Sequence, residues 1–300
     1  MDGWSPLESG KAQLVVKAPA KINLVLKITG KRPDGYHDLF TIMVPVTIYD
    51  TLRFRRGGSG IRLVCKGRDV PVDGNNLVWQ AGEAFYREMG SEPDVEVTIE
   101  KAIPVAAGLG GGSSDAAFTL KALNRLYGNP LSSARLHAMA RALGADVPFF
   151  LSCRPCVARG IGDLLEPLQK WPEFWYVIVV PPFGISTAWA YGQVKLELTQ
   201  PLENYIVKVQ DSLCSDIVPL LENDFESVVL PAFPQVAEVK DLLLRVGAAG
   251  AIMSGSGPSV VGLFRDPEKA KVACLSVKEK GESFIARAYR GEGVGQAEKA

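Results

Sequence analysis

One short stretch restricts this chain more than any other: Pro104-Val105-Ala106-Ala107-Gly108-Leu109-Gly110-Gly111-Gly112-Ser113-Ser114. Four of its residues between 108 and 112 are glycine, a β-rich segment precedes it, and an alanine-rich segment follows. In that following segment Ala117, Leu120, Leu123 and Tyr127 recur every three or four positions, which predicts a helix from about Ser114 to Leu126. A strand entering a glycine turn that opens a helix makes an anion site. Missing side chains let backbone N–H groups approach a ligand, and the first amides of a helix have no internal acceptor. The positive end of the helix dipole lies behind them, so phosphate oxygens suit the turn. Ser113 and Ser114 add hydroxyls for phosphate or for a metal ion beside it. A plain helix cap needs one Ser, Asp or Gly; four glycines cost far more unfolded-state entropy than a cap requires.

Two familiar phosphate turns do not fit. A Walker A loop needs a lysine after its glycines, and none stands here. A dinucleotide fingerprint needs glycine six positions after the first, where this chain has Ser113, and a second strand bearing an acid, where a further helix is expected.

Global charge gives no help in holding an anion. Lys plus Arg and Asp plus Glu are 33 each, so the formal net charge is zero. A chain that lives on nucleic acid or on an anionic membrane usually carries a basic excess, so neither is expected as a partner. The five cysteines are odd in number and scattered, unlike a secreted disulfide scaffold. Cys153 and Cys156 form a lone C-x-x-C with too few histidines elsewhere for a zinc site, so reduced, buried thiols are expected. The polar start, Met1 to Lys11, lacks the form of a signal peptide. The most apolar stretch, Phe174 to Pro182, is under half the span of about 20 residues that crosses a bilayer. A cytoplasmic protein is the expectation.

Around the glycine turn the pattern alternates strands and helices. Leu14–Val16, Ile22–Ile28, Thr41–Ile48, Thr51–Arg55, Ile61–Cys65 and Val95–Glu100 read as strands, and Leu77–Met89 as a helix. A helix from Ser132, a good N-cap, to Leu143 should end on Gly144 in the left-handed conformation. Past Ile161 come a buried strand at Trp175–Val180 and helices at Tyr205–Leu221, Phe233–Val246 and Lys269–Lys280. Short strands at Ala251–Met253 and Val260–Phe264 flank a second glycine turn, and a strand at Ser283–Tyr289 closes the pattern. The residues from Gly291 onward read as frayed. An α+β chain of two domains, 1–164 and 165–300, is predicted, with no internal repeat.

The glycine turn resembles the ATP loop of the GHMP kinase superfamily (galactokinase, homoserine, mevalonate and phosphomevalonate kinases). Ala18-Pro19-Ala20-Lys21-Ile22-Asn23 and Ser254-Gly255-Ser256-Gly257-Pro258-Ser259 resemble that family's first and third motifs, in the right order. The segments Ile28 to Leu39, with Asp34-Gly35-Tyr36-His37, and Leu143 to Pro148, with Gly144-Ala145-Asp146-Val147-Pro148, narrow the resemblance. They look like the branch whose acceptor carries a cytidine diphosphate, in non-mevalonate isoprenoid synthesis. The similarity runs from about Leu14 to Tyr289, weakest over Val194 to Asp216.

The resemblance implies a two-domain α+β GHMP kinase fold. Its N-terminal domain would be like the second domain of ribosomal protein S5, with a left-handed βαβ crossover, and its C-terminal domain ferredoxin-like. It implies ATP, held by residues 104 to 114 with Asn76 and Lys101 near the adenine, and Mg²⁺ with ligands left open. It implies a catalytic pair, Lys21 and Asp146, and cytidine binding by Tyr36 and His37. Asn23 would position the substrate, and Ser254, Gly255, Ser256 and Gly257 would hold its diphosphate or the transferred phosphate. Asn223-Asp224 matches a family pair without an assigned role. Read from the residues alone, Asp146 sits on a tight turn, because Pro148 biases Val147 to an extended backbone. A carboxylate there can take the proton of an alcohol as the P–O bond forms. Tyr36 and His37 offer a flat apolar face and a hydrogen-bonding edge, as a cytosine requires. The alternatives are a GHMP kinase acting on a simpler alcohol such as homoserine or mevalonate, which has no base to stack, or an S5-like RNA-binding domain. The oligomeric state, monomer or homodimer, is left open by the sequence.

Overall fold

A computed structural model describes residues 5–6, 13–194 and 216–291. Its elements are β1 (Ser5–Pro6), β2 (Gln13–Lys31), β3 (His37–Arg56), β4 (Gly60–Lys66), α1 (Leu77–Met89), β5 (Asp94–Glu100), α2 (Gly111–Leu126), α3 (Ser133–Leu143), α4 (Val147–Ser152), β6 (Cys156–Gly160), β7 (Leu164–Pro167), β8 (Trp175–Val180), α5 (Thr187–Gln193), β9 (Glu222–Asn223), α6 (Glu226–Ala232), α7 (Pro234–Arg245), β10 (Gly250–Met253), β11 (Val260–Phe264), α8 (Pro267–Ser276) and β12 (Glu282–Arg287).

Two sheets carry the fold. The first runs β1-β2-β3-β5-β4, with β6 and β7 added beside β3 and β9 beside β2. Its β4–α1–β5 unit joins two parallel strands through a helix. The second sheet runs β10-β11-β8-β12, each neighbour antiparallel. Strand, helices, two strands, helix, strand in that order is the ferredoxin-like arrangement. The α+β two-domain expectation is met.

The segments read as four separate strands are two long ones. β2 absorbs Leu14–Val16 and Ile22–Ile28, and β3 absorbs Thr41–Ile48 and Thr51–Arg55. The ladder survives Pro19 because its register shifts between Pro19 and Ala20, with further shifts at Asn23/Val25 and Ile28/Gly30. Such irregularities bend a strand and re-aim its side chains. As a result β2 feeds three cores in turn. Leu14, Val16 and Ala18 pack with α1 and α2; Ala20, Ile22 and Leu24 pack with Tyr176, Ile178 and Val261 of the second sheet; Leu26 and Ile28 pack with Phe225 and Met253. The two sheets are thus joined through a continuous apolar layer.

Several boundaries differ from the sequence reading. No strand enters the glycine turn directly: β5 stops at Glu100, and a loop covers the next ten residues before α2 starts at Gly111. Gly144 is extended (φ 160°, ψ 156°), not left-handed, and Val147 is helical, because Pro148 falls in the first turn of α4, where a missing N–H costs nothing. Helices α5 and α6 and strands β6 and β7 were not foreseen; each is at most seven residues, too short for a period to show. Of the helix expected at Tyr205–Leu221, residues 205–215 lie outside the described residues, and Val218–Leu220 is a 3₁₀ turn. Met1–Trp4, Leu7–Ala12 and the chain beyond Gly291 also lie outside them. Among the described residues, no helix is long and apolar enough to cross a membrane.

Ile178, wholly buried at the centre of β8, contacts the layer that joins the sheets. Ile178→Ala should cost about 2–5 kcal/mol of stability. A denaturant titration checks this; a loss under about 1 kcal/mol would mean that the layer repacks freely.

Candidate active site

The glycine run places bare backbone against other parts of the chain. Gly110 is the N-cap of α2, left-handed at φ 68° and without a side-chain cap bond, and Gly111 and Gly112 already belong to the helix. The first amide bonded back into the helix is that of Ser114, which donates to the Gly110 carbonyl at 2.9 Å. The N–H groups before it lack that internal acceptor, as an anion site requires. Gly108, at φ 73°, packs on the third motif: a methyl group there would lie 2.5 Å from the Ser254 carbonyl oxygen. At Gly110 a methyl would meet Lys21 Cγ at 2.9 Å and Phe150 Cζ at 3.0 Å.

Hydrogen bonds complete the junction of the three motifs. The Lys21 amide donates to the Leu109 carbonyl at 2.9 Å. The Asn23 amide donates to Ser254 Oγ at 3.0 Å, and Ser259 Oγ donates to the Ala107 carbonyl at 2.5 Å. Asn223, whose role the sequence left open, donates through Nδ2 to the carbonyls of Met253 and Gly255, each at 2.8 Å. It holds the third motif from behind. Asp224 accepts from the Ile28 amide at 2.7 Å and pairs with Lys27, which fixes β9 to β2.

Lys21 and Asp146 face each other, with Nζ and Oδ2 3.5 Å apart. Lys21 is buried, whereas the Asp146 side chain is 37 % exposed and makes no cap bond to α4, so its carboxylate is open to a ligand. Lys21 Nζ also donates to Asn23 Oδ1 at 2.6 Å, and Asn23 Nδ2 donates to Thr41 Oγ1 at 2.8 Å. The Thr41 hydroxyl in turn donates to the Val25 carbonyl at 2.6 Å, so the row Thr41–Asn23–Lys21 aims the ammonium at Asp146.

A cavity of about 890 Å³ opens in front of this pair, lined by Lys21, Asn23, Asp146, Tyr36, His37 and Ser256 among others. Along its lining the His37 ring stacks on Tyr191, with centroids 4.8 Å apart and planes 17° apart, while Tyr36 is 61 % exposed. Burial, then the charge of Lys31, lowers the pKa of His37, so a neutral ring able both to donate and to accept is favoured. Burial, then the charge of Asp146, pushes the Tyr191 hydroxyl up to about 12. Ser256 Oγ lies 2.8 Å from the Thr187 hydroxyl at the start of α5.

A second cavity, about 320 Å³, lies on the other side of the glycine turn, lined by Asn76, Lys101, Pro104, Val105, Ala106, Ala107, Leu109, Gly111, Gly112 and Asp115 among others. Gly108, Gly110 and Ser113 line both cavities, so the turn is the wall between them. Asn76 spends its side chain on capping α1: Oδ1 accepts from the Val78 amide at 2.9 Å and Nδ2 donates to the Pro71 carbonyl at 2.7 Å. Lys101 also departs from a simple reading, since its ammonium is turned beneath the loop onto Asp50 and Asp115. Ser114 is fully buried and does not line either cavity.

Among the described residues, no cluster of three or more His, Cys, Asp or Glu side chains could hold a metal ion. Cys153 and Cys156 are free and buried, and burial pushes both thiols up to about 12, as expected of inert thiols. Sequence reasoning missed Thr41, Asp50, Asp115, Thr187 and Tyr191. Only α5 had a signal, the Ser186 cap before Thr187; the others depend on which strands and helices meet.

The chain is similar to known proteins over most of its length. The family model described as GHMP kinases N terminal domain matches residues 76–154, and GHMP kinases C terminal matches residues 211–283. A 4-diphosphocytidyl-2-C-methyl-D-erythritol kinase from a Geobacter species is 43 % identical over 279 residues, covering 93 % of this chain and 99 % of that protein. One of the same name from Syntrophus aciditrophicus is 45 % identical over 260 residues, covering 87 % and 93 %. A crystal structure of 4-(cytidine 5'-diphospho)-2C-methyl-D-erythritol kinase superposes with a TM-score of 0.80 at 35 % identity, covering 91 % of this chain and 98 % of that one.

Gly108→Ala forces a methyl group onto the Ser254 carbonyl and strains a left-handed residue. Overpacking of this kind should cost about 1–3 kcal/mol and displace the turn. Affinity for ATP, measured by calorimetry, should fall while the chain still folds; unchanged affinity would separate the turn from the nucleotide.

Proposed function

The chain belongs to the GHMP kinase family, and on that premise we propose that it transfers the γ-phosphoryl group of ATP to the 2-hydroxyl of 4-diphosphocytidyl-2-C-methyl-D-erythritol, a step of the non-mevalonate isoprenoid pathway. One observation carries the reading. Two cavities share the glycine turn as a wall, and the larger is lined by both the Lys21–Asp146 pair and aromatic rings suited to a base.

In this reading ATP lies in the smaller cavity, its adenine end toward Asn76 and the residues 104–107, its phosphates over Gly108–Ser114. The γ-phosphorus reaches the larger cavity across the turn. The acceptor's cytosine stacks beside Tyr36 and meets His37, with Tyr191 as backing, and its diphosphate lies toward Ser254–Gly257. Its 2-hydroxyl then falls between Asp146 and the γ-phosphorus, with Asn23 orienting Lys21. The alcohol oxygen forms the new bond to phosphorus as the bond to the bridging oxygen of ADP breaks, and the hydroxyl proton passes to Asp146. The Lys21 ammonium, 3.5 Å from Asp146, offsets charge gathering on the transferred group. The amides of the turn do the same without reorganising.

Mg²⁺ belongs to this proposal. Of the two hydroxyls at the turn, Ser113 lines both cavities and would hold the ion, whereas Ser114 is buried and lines neither. Mg²⁺ keeps several waters and phosphate oxygens as ligands, so one protein hydroxyl is a sufficient anchor. Bound there, the ion would supply neutralisation of the polyphosphate charge. We keep the division into 1–164, carrying the ATP turn, and 165–300, and place the reaction in the cytoplasm, where ATP is available; the balanced charge of the chain favours small-molecule partners over nucleic acid.

The deciding experiment incubates the protein with ATP and each candidate alcohol and scores ADP release. Turnover of homoserine or mevalonate in place of the cytidine substrate would overturn the proposal. Asp146→Asn should lower kcat roughly 10²–10⁴-fold with ATP affinity nearly unchanged; near-normal turnover removes Asp146 from the chemistry. Tyr36→Ala should raise KM for the cytidine substrate roughly five- to hundredfold, the worth of one stacked base, and leave KM for ATP alone. Equal rises in both would contradict the cytosine assignment.

A further inference from the structure

Beneath the glycine turn three charged side chains are buried together, outside the Lys21–Asp146 pair. Lys101, just after β5, places its ammonium 2.5 Å from Asp50 Oδ2 and 2.7 Å from Asp115 Oδ2. The three side chains are 5 %, 0 % and 4 % exposed. Asp50, on β3, is fully used: its Oδ1 accepts the amides of Ala102 and Ile103 at 2.7 and 2.9 Å. Asp115 is not, for its Oδ1 has no hydrogen-bond partner although the residue lines the nucleotide cavity.

The start of α2 rests directly on this cluster. A methyl group at Gly111 would lie 2.9 Å from Lys101 Nζ and 3.0 Å from Ile103 Cγ2. Asp115 stands one helical turn after Gly111. Lys101 is tied to the sheet independently, since its amide donates to the Lys66 carbonyl at 2.8 Å. The ammonium therefore spans β3 and α2, and sets the height of the first helical amides above the sheet. With two of its three N–H donors and its charge engaged by carboxylates, it has little left for an adenine ring.

We propose that Lys101, Asp50 and Asp115 form a positioning triad that holds the first turn of α2 where its free amides meet the nucleotide's phosphates. This rests on the reading that the glycine turn binds the triphosphate. It changes the part expected of Lys101, which acts through the loop and not on the base. The electrostatics are consistent. Two full negative charges so close beneath a polyphosphate would oppose binding. Burial pushes the Asp115 carboxyl up strongly, against the pull of Lys101, toward its neutral form. Burial would lower Lys101, but Asp115 and Asp50 outweigh it and hold the ammonium charged. Raising Asp115 toward its neutral form lessens the negative charge beneath the phosphates, while the ammonium keeps α2 tied to β3.

The test measures binding of ATP, tripolyphosphate and adenosine by calorimetry. Asp115→Leu should weaken ATP at least tenfold and tripolyphosphate in proportion, with adenosine within twofold. Asp115→Asn keeps the shape and the bond to Lys101 and should bind all three nearly as the parent does. Gly111→Ala keeps all three charged side chains in the sequence but pushes the ammonium aside. It should copy Asp115→Leu, and it decides the question where that variant does not fold. Equal weakening of adenosine and tripolyphosphate, selective loss of adenosine, or no change in either would overturn the triad. No step requires the acceptor alcohol, so a protein that shows this pattern yet ignores the cytidine substrate would refute the proposed activity and leave the triad standing. A parent protein that binds neither ATP nor tripolyphosphate would overturn both.

Discussion

The molecule is organised around a contact that side chains would prevent. At Gly108 the backbone of the first glycine turn lies against the Ser254 carbonyl of the second, and at Gly110 it lies against the stem of Lys21. Three segments far apart in sequence meet within hydrogen-bonding distance there: Lys21 with Leu109, Asn23 with Ser254, Ser259 with Ala107. An oriented set of amides works as an anion site only if it does not move when the anion arrives. Support from both sides supplies that rigidity, since a lone loop would spend binding energy on ordering itself.

The three cores exist in the arrangement that this junction needs. β2 passes through all of them, and its register shifts turn successive side chains toward different neighbours. Between the shifts, Ala20, Ile22 and Leu24 lock the two sheets together, while Lys21 and Asn23 face the site. Precision at the Lys21–Asp146 pair therefore comes from apolar packing one residue away from Lys21 in either direction. Alternation along a strand achieves this without further machinery.

Two lysines show how burial assigns work to the same side chain. Lys101 is enclosed with two carboxylates, so its charge is spent within the protein and can serve only to hold structure. Lys21 meets a single carboxylate that is itself over a third exposed, so both members of that pair remain able to engage a ligand. A wholly enclosed ion pair pays desolvation for position, while a half-open one keeps its electrostatic reach.

Much of this was legible from the chain alone. Glycine spacing, the helical period after it and the Ser132 cap are local properties, and each appears where the sequence put it, the start of α2 shifted three residues earlier. The resemblance of three motifs fixed the family. What the chain could not express is pairing between distant parts. That β2 and β3 are each continuous depends on ladder bonds that tolerate Pro19 through a register shift. That Val147 is helical depends on α4 packing, which overrides the bias of Pro148. Asp50, Asp115, Thr41 and Tyr191 carried no mark, because an aspartate in a strand looks the same whether it faces water or a buried ammonium. The sequence by itself determined which residues could bind phosphate and move a proton. Tertiary structure decided which of them face a cavity and which face each other, because burial and partnership are set by segments that touch only once the chain is folded.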